Sequence, residues 1–362
     1  MKINLKSIAF LHQVFPFGGA EKITMDMANY LVDQHFDVTV LTTHHDESAY
    51  PSGFHRLFNV VELPHGSIKT SPRIAGAVRD YIKFHEVTSI VSYREVLYAP
   101  WLRKKTGVKF IFALMSKPGY EFDGQPLLAW FYRLKYHRVF RSSDIYGVIC
   151  ESYKEEIGKI ISLPATTEKI RIIPCFIPLP ENVCMTKQKV VVYIGRLSRR
   201  DKRLDRLLRI WHLASPQMPE WQLKIVGRGP EEEALRQQAV NLCLQNISFE
   251  GYSDHVQLYF NEASILCLTS SFEGWPLCVA EAQANGVIPI IFDSFGGARD
   301  LIRNAKEGIL VKPFDENLFA QELVGLSHDS IRFAEMQNAV IDKAKNYSIE
   351  QAGKKWINSI IS

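Results

Sequence analysis

Two glutamates stand eight positions apart in Glu273-Gly-Trp-Pro-Leu-Cys-Val-Ala-Glu281, and what lies around them turns a spacing into chemistry. The apolar run Ser264–Thr269 reads as a strand. Pro276 suits the first turn of a helix, where its missing N–H costs nothing, and Gly286 reads as that helix's stop. The pair therefore falls at the carboxyl end of a strand, where open α/β sheets bind ligands, beside a helix start whose free amides and positive dipole suit phosphate. A sugar nucleotide needs both features, donors for its diphosphate and acceptors for its hydroxyls. Glu281, inside the helix, can accept from a ribose diol, and Glu273, in the loop, can reach the sugar. A solvated helix face would also place two Glu so, and the neighbouring elements weigh on the choice.

Four further constellations follow strands. Phe17-Gly18-Gly19-Ala20-Glu21-Lys22 opens a helix, and its paired glycines serve a tight turn or let amides approach a phosphate. Tyr193-Ile-Gly195-Arg196-Leu197 is followed by Lys202, an Arg and a Lys placed to clamp a diphosphate leaving group. Ile225-Val-Gly227-Arg-Gly229-Pro230 lacks a third glycine and runs into Glu231-Glu-Glu, which repels phosphate, so a close strand-to-helix turn fits it better. Phe295-Gly296-Gly297 could let a loop pass near a sugar.

The elements that must hold these residues read as alternating strands and helices, the pattern of βαβ units. Strand-like runs at Ser7–Leu11, Asp37–Thr42, Val60–Leu63, Ser89–Ser92, Lys109–Leu114, Ile145–Ile149 and Ile170–Ile173 form a first set. Val190–Ile194, Gln222–Val226, Ile247–Phe249, Ile265–Thr269, Val287–Phe292 and Gly308–Val311 form a second. Pro174-Cys-Phe-Ile-Pro-Leu-Pro between them reads as an extended linker. The expected domains are 1–174, 175–345 and a terminal helix, 346–362, returning to the first domain. A length of 362 residues suits two cores. A net charge of +4 is too mild to argue nucleic acid. The six cysteines include no C-x-x-C pair and fit reduced thiols. No apolar run approaches the roughly 18 residues needed to cross a bilayer, and no signal-peptide core opens the chain. The expected location is the cytoplasm, with peripheral attachment at the inner face of the cell membrane as an extension.

Taken in order, Gly18-Gly19-Ala20-Glu21, Gly195-Arg196-Leu197 with Lys202, Gly227-x-Gly229-Pro230, Glu273-Gly274-x-Pro276-Leu277 with Glu281, and Gly296-Gly297 make the chain resemble the retaining glycosyltransferases of family 4. The resemblance implies the GT-B fold, two Rossmann-like doubly wound parallel-sheet domains facing a central cleft, the first for the acceptor and the second for the donor. It further implies transfer of a hexose or N-acetylhexosamine, with retention at the anomeric carbon, from a nucleotide-diphosphate sugar, UDP being the expected carrier. The expected acceptor is a glycan or lipid-linked saccharide of cell-surface polysaccharide or lipopolysaccharide biosynthesis. Carried onto this chain, Gly18 and Gly19 would face the donor phosphates, Arg196 and Lys202 would neutralise the diphosphate, and Glu281 would bind ribose. Glu273 would contact the transferred sugar, and the backbone of Gly274, Trp275, Pro276 and Leu277 would complete the donor site.

One departure stands out. Many family members carry a His after the strand near residue 112, where this chain reads Phe112-Ala-Leu-Met-Ser116-Lys117, so Ser116 or Lys117 fills that place on the acceptor side. No D-x-D is present, and Glu121-Phe-Asp123 falls in the first domain. The expectation is an enzyme without metal or other cofactor, Arg196 and Lys202 taking over the stabilisation of the departing diphosphate. Between Lys117 and Arg141, apolar Leu127, Phe131 and Leu134 share one helical face flanked by Arg133, Lys135 and Arg138. That helix either packs on its domain with a solvated basic edge or rests on an anionic membrane. Three other functions fit less well. A sugar-nucleotide epimerase matches the motif order poorly, and a non-catalytic nucleotide-sugar module would not need Glu273. A nicotinamide-dependent dehydrogenase would want G-x-G-x-x-G where this chain reads Phe15-Pro-Phe-Gly-Gly-Ala.

Overall fold

The computed structural model of the chain describes residues 6–361 apart from 17, 52, 120–125 and 165, and leaves the side chains of 126–129 and 361 undescribed. Phe17, Glu121, Asp123 and the Leu127 side chain thus lie outside the described residues. The chain divides into two compact units, residues 1–176 with 349–362 and residues 177–348.

In the first unit β1 (Ser7–His12), β2 (Asp37–Thr42), β3 (Asn59–Glu62), β4 (Val87–Ser92), β5 (Lys109–Leu114), β6 (Ile145–Val148) and β7 (Ile170–Ile172) form one sheet in the order β3-β2-β1-β4-β5-β6-β7. In the second, β8 (Val190–Ile194), β9 (Gln222–Val226), β10 (Ile247–Gly251), β11 (Ile265–Leu268), β12 (Ile288–Phe292) and β13 (Ile309–Val311) run β10-β9-β8-β11-β12-β13. Every pairing in both is parallel. The strands read as apolar runs because helices cover both faces of a parallel sheet, leaving few positions for polar residues. Val191, Val192, Leu266, Cys267, Ile290 and Ile291 are fully buried around Trp211.

Strand order reverses direction between β1 and β4 in one sheet and between β8 and β11 in the other. At such a switch point the connections leave to opposite faces, and the carboxyl ends of the two strands open a crevice. The helix Ile349–Ile361 belongs to the first unit, where Trp356 packs near Phe10 and donates to the Pro174 carbonyl at 3.0 Å.

Candidate active site

In the second unit the two loops that carry the donor-site candidates leave neighbouring strands at the switch point. Ile265 pairs with Val191 and Leu266 with Val192, so the segment after β8 and the segment after β11 emerge side by side. The first segment is shaped from below. Gly195 N–H donates to the Val226 carbonyl at 3.0 Å, Leu197 N–H to Arg228 at 2.9 Å, and the Tyr193 hydroxyl to the Arg196 carbonyl at 2.9 Å. Gly227 and Gly229 make that packing possible, because a Cβ at either would run into the carbonyl of Gly195 or Leu197. The Gly227-x-Gly229 pair therefore packs the turn after β9 against the segment after β8.

Asp201 then joins the two loops. Its carboxylate accepts from Arg196 Nη2 at 2.8 Å and from Ser198 Oγ, while its carbonyl accepts from Ser271 N–H at 2.7 Å. Next to it Lys202 Nζ donates to Glu273 Oε1 at 2.6 Å, and Ser270 Oγ donates to the same oxygen at 2.6 Å. Lys202 and Glu273 are 18% and 12% exposed, so the pair is shielded more than a surface ion pair, whereas Arg196 is 65% exposed. Burial disfavours the Lys202 ammonium, but Glu273 outweighs it and the Lys202 pKa is raised. Arg206 braces the loop from behind, donating to Ser271 Oγ at 3.1 Å and lying 3.8 Å over the Phe314 ring.

The helix expected after Pro276 runs Leu277–Ala284, and Pro276 is its N-cap rather than its first residue. Proline fits there because an N-cap is extended and its own N–H is not required. No side chain caps this helix start, so its first amides face outward as donors. Glu281 lies one turn in, and the Cys278 thiol senses the whole cluster. Burial pushes it up to about 12, Lys202 pulls it down, and Glu273 and Glu281 push it up. Trp275 packs edge-on against Tyr347 with ring centroids 5.1 Å apart, and Gly297 lies directly under Trp275 and the Gly274 carbonyl. The second glycine pair thus serves the packing of the 273–277 loop.

In the first unit Gly18 is the N-cap of the helix Gly19–Asp33, with φ 97 and no side-chain cap. Gly18 sits beside the Glu21 carboxylate, which pairs with the buried His12 ring at 3.3 Å, and His12 also meets Thr24 Oγ1 at 2.9 Å. At the carboxyl ends of β1, β4 and β5 a cavity of about 400 Å³ is lined by Lys69, Arg94, Glu95, Ser116, Lys135 and Tyr136 among others. Ser116 lies on this wall, and Lys117 does not. Gln13 fixes the loop above it, donating to Thr43 Oγ1 and the Gly66 carbonyl and accepting from Ile68 N–H at 2.9 Å. Glu95 is buried between Arg138, whose Nε donates to Oε1 at 2.9 Å, and Lys69, 2.9 Å from Oε2. Burial works against its carboxylate, but the two cations hold its pKa below the ordinary carboxylate range.

Residues 17–180 match the model of the glycosyltransferase family 4 domain, and residues 180–347 match that of glycosyl transferases group 1. The chain belongs to the glycosyltransferases of group 1 and family 4. The glycosyltransferase is 23% identical over 368 residues, 98% of both chains, to a Campylobacter jejuni alpha-1,4-N-acetyl-D-galactosaminyltransferase whose named acceptor is an undecaprenol diphosphate-linked saccharide. It is 24% identical to the lipopolysaccharide 1,6-galactosyltransferase of Escherichia coli, over 85% of each chain. Its fold is that of Anabaena HepE, solved in complex with UDP, at a TM-score of 0.79, 16% identity and coverage of 98% of this chain and 99% of that one. Both of these relatives are glycosyltransferases, the second acting on lipopolysaccharide by its name.

Several residues of this glycosyltransferase's two candidate sites escape a reading by motif. Asp201 lies next to Lys202, and Ser270 and Ser271 lie three and two positions before Glu273, so proximity was the available signal. Lys69, Arg94, Glu95 and His12 carry none, since chain segments far apart in sequence bring them together. The apolar stripe of the helix Pro126–Ser142 also needs correcting as a packing face. Trp130, Phe131 and Leu134 are 69%, 62% and 49% exposed, and the helix packs through Tyr136 and Val139 instead. Helical spacing identifies a stripe but not which stripe turns inward.

Proposed function

We propose that the chain transfers a hexose or N-acetylhexosamine from a UDP-sugar to a saccharide or lipid-linked saccharide acceptor, with retention of anomeric configuration. The observation that carries the donor half is the joining of Lys202 and Glu273, on neighbouring strand ends, beside the uncapped start of the Leu277–Ala284 helix. In this reading the diphosphate takes the helix amides, Arg196 and Lys202. Glu281 takes the ribose diol. Glu273, held by Lys202 and Ser270, takes a hydroxyl of the transferred sugar, with the backbone of Gly274, Trp275, Pro276 and Leu277 closing around the donor. Gly18 and Gly19 offer a second uncapped helix start for an anionic group.

In the reaction the acceptor oxygen bonds to the anomeric carbon on the face from which the phosphate oxygen leaves. The acceptor proton passes to that phosphate oxygen. Negative charge grows on the departing diphosphate, and preorganised cations that meet it there lower the barrier without reorganising. No metal is required in this scheme. The acceptor is assigned to the first unit, whose cavity at the carboxyl ends of β1, β4 and β5 has Ser116 on its wall. The exposed Trp130, Phe131 and Leu134, with exposed Arg133, Arg138 and Arg141 along the same helix, support peripheral contact with an anionic membrane. Among the described residues no helix is long and apolar enough to cross one.

The test is a panel of nucleotide sugars scored by thermal stabilisation, followed by transfer with the best donor and assignment of the product anomer by NMR. An α-linked donor should give an α-linked product. An inverted product, or stabilisation by no nucleotide sugar, would overturn the reading.

A further inference from the structure

The cavity at the carboxyl ends of β1, β4 and β5 has an uneven charge. Its walls carry three cations, Lys69, Arg94 and Lys135, and one carboxylate, Glu95. That carboxylate is already engaged twice over, by Lys69 and by Arg138. Among the described residues no carboxylate pairs with the exposed Arg94. The remaining walls are fixed and largely apolar. Phe112, Leu114 and Val139 are buried, and the rings of Tyr93 and Tyr136 are anchored by hydrogen bonds from Thr24 Oγ1 to the Tyr93 hydroxyl at 3.1 Å and from Gly119 N–H to the Tyr136 hydroxyl at 2.9 Å.

Glu95 Oε2 is buried against Lys69 at 2.9 Å and Oε1 is paired with Arg138, so this carboxylate is spent on those two cations and does not offset Arg94. The volume, about 400 Å³, lies within the range of small-molecule sites. Apolar ring walls suit the C–H face of a sugar, and surplus positive charge suits an anion.

We propose that this cavity selects an acceptor saccharide bearing an acidic group, a phosphate or a carboxylate, with Arg94 anchoring the anion. The proposal rests on the reading of the first unit as the acceptor side. Guanidinium forms paired hydrogen bonds to either anion, so the geometry fits both sources.

Ligand-observed NMR titration of the full chain tests it with three probes, methyl glucoside, methyl glucuronide and a hexose phosphate, alongside UDP as a separate readout. At least one acidic probe should bind about tenfold or more tightly than methyl glucoside, the value of one charge-assisted contact. A preference for the glucuronide would identify a uronic acid acceptor, and a preference for the phosphate a phosphorylated or diphosphate-linked one. The advantage should shrink in high salt, collapse in Arg94→Gln and survive in Arg94→Lys. Because Arg94 is exposed, Arg94→Gln should keep its fold, seen as an unchanged melting temperature and unchanged UDP binding. Equal affinity for acidic and neutral sugars, or an advantage untouched by Arg94→Gln, would overturn the proposal. Failure to bind UDP with sugar binding intact would instead strike the donor assignment.

Discussion

Lys202 Nζ and Glu273 Oε1 lie 2.6 Å apart, although 71 residues separate them in the chain. In the proposed reading the pair joins a leaving-group cation to a sugar-facing carboxylate, so a change at either alters its partner. Removal of Glu273 takes the ion-pair partner from a shielded ammonium, and removal of Lys202 takes one of two donors, with Ser270 Oγ, from Glu273 Oε1.

Turnover should fall on the order of 10² or more in Lys202→Ala and in Arg196→Ala, as for other preorganised charge stabilisers, with the fold retained. Steady-state kinetics with circular dichroism as the control checks this. Activity within a few-fold of the parent in both would remove them from the donor site.

The two glutamates should separate in kinetics. Glu281→Gln is expected mainly to raise KM for the donor, because a ribose contact is made in ground state and transition state alike. Glu273→Gln should chiefly lower kcat. Calorimetry should find UDP binding weakened in the first and nearly unchanged in the second, and the reverse pattern would exchange their roles.

Turnover should persist in excess chelator, since Arg196 and Lys202 are assigned the electrostatic task that a divalent ion performs elsewhere. Activity that vanishes with chelator and returns with manganese or magnesium would contradict that assignment.

Glu95 sets a pH signature. Its folded pKa is lowered, so the stability it contributes is present above the unfolded value, about 4.3, and is lost as pH falls through the folded one. Urea midpoints for parent and Glu95→Gln should therefore differ at pH 7 and converge as pH drops below about 4. A gap independent of pH would mean the contribution is packing rather than charge.

Vesicle flotation addresses the exposed helix. The parent should float with anionic vesicles and much less with neutral ones, and replacing Trp130, Phe131 and Leu134 by Ser should abolish flotation without changing melting temperature. Equal behaviour on both lipids would leave that helix face without a membrane role.

The strands of both sheets were legible because a parallel strand covered on both faces admits little but apolar residues. Observed bounds such as Asp37–Thr42, Lys109–Leu114 and Gln222–Val226 coincide with the runs read from sequence. The loop after β11 was legible through its motif. The salt bridge between Lys202 and Glu273 was not, since it depends on β8 and β11 being neighbours, a fact of topology rather than of local pattern. The cavity around Glu95 was hidden for the same reason. The sequence left open whether the Phe131 and Leu134 face of the Pro126–Ser142 helix packs inward, and the structure leaves that face exposed, because spacing alone does not rank two competing apolar faces.

The terminal helix has a consequence for synthesis. Residues 177–348 are contiguous, and once they have left the ribosome that unit has all of its own strands. The first unit, though translated earlier, lacks Trp356 and the helix Ile349–Ile361 that packs against Gly19–Asp33 until the last residues appear. Domains usually consolidate in the order in which they are made. Here the later one can mature first, while the earlier one waits with the Tyr30 side of its first helix uncovered where Gly353 will press against it. Stalled nascent chains ending near residue 348 should accordingly present a protease-resistant second unit attached to a protease-sensitive first.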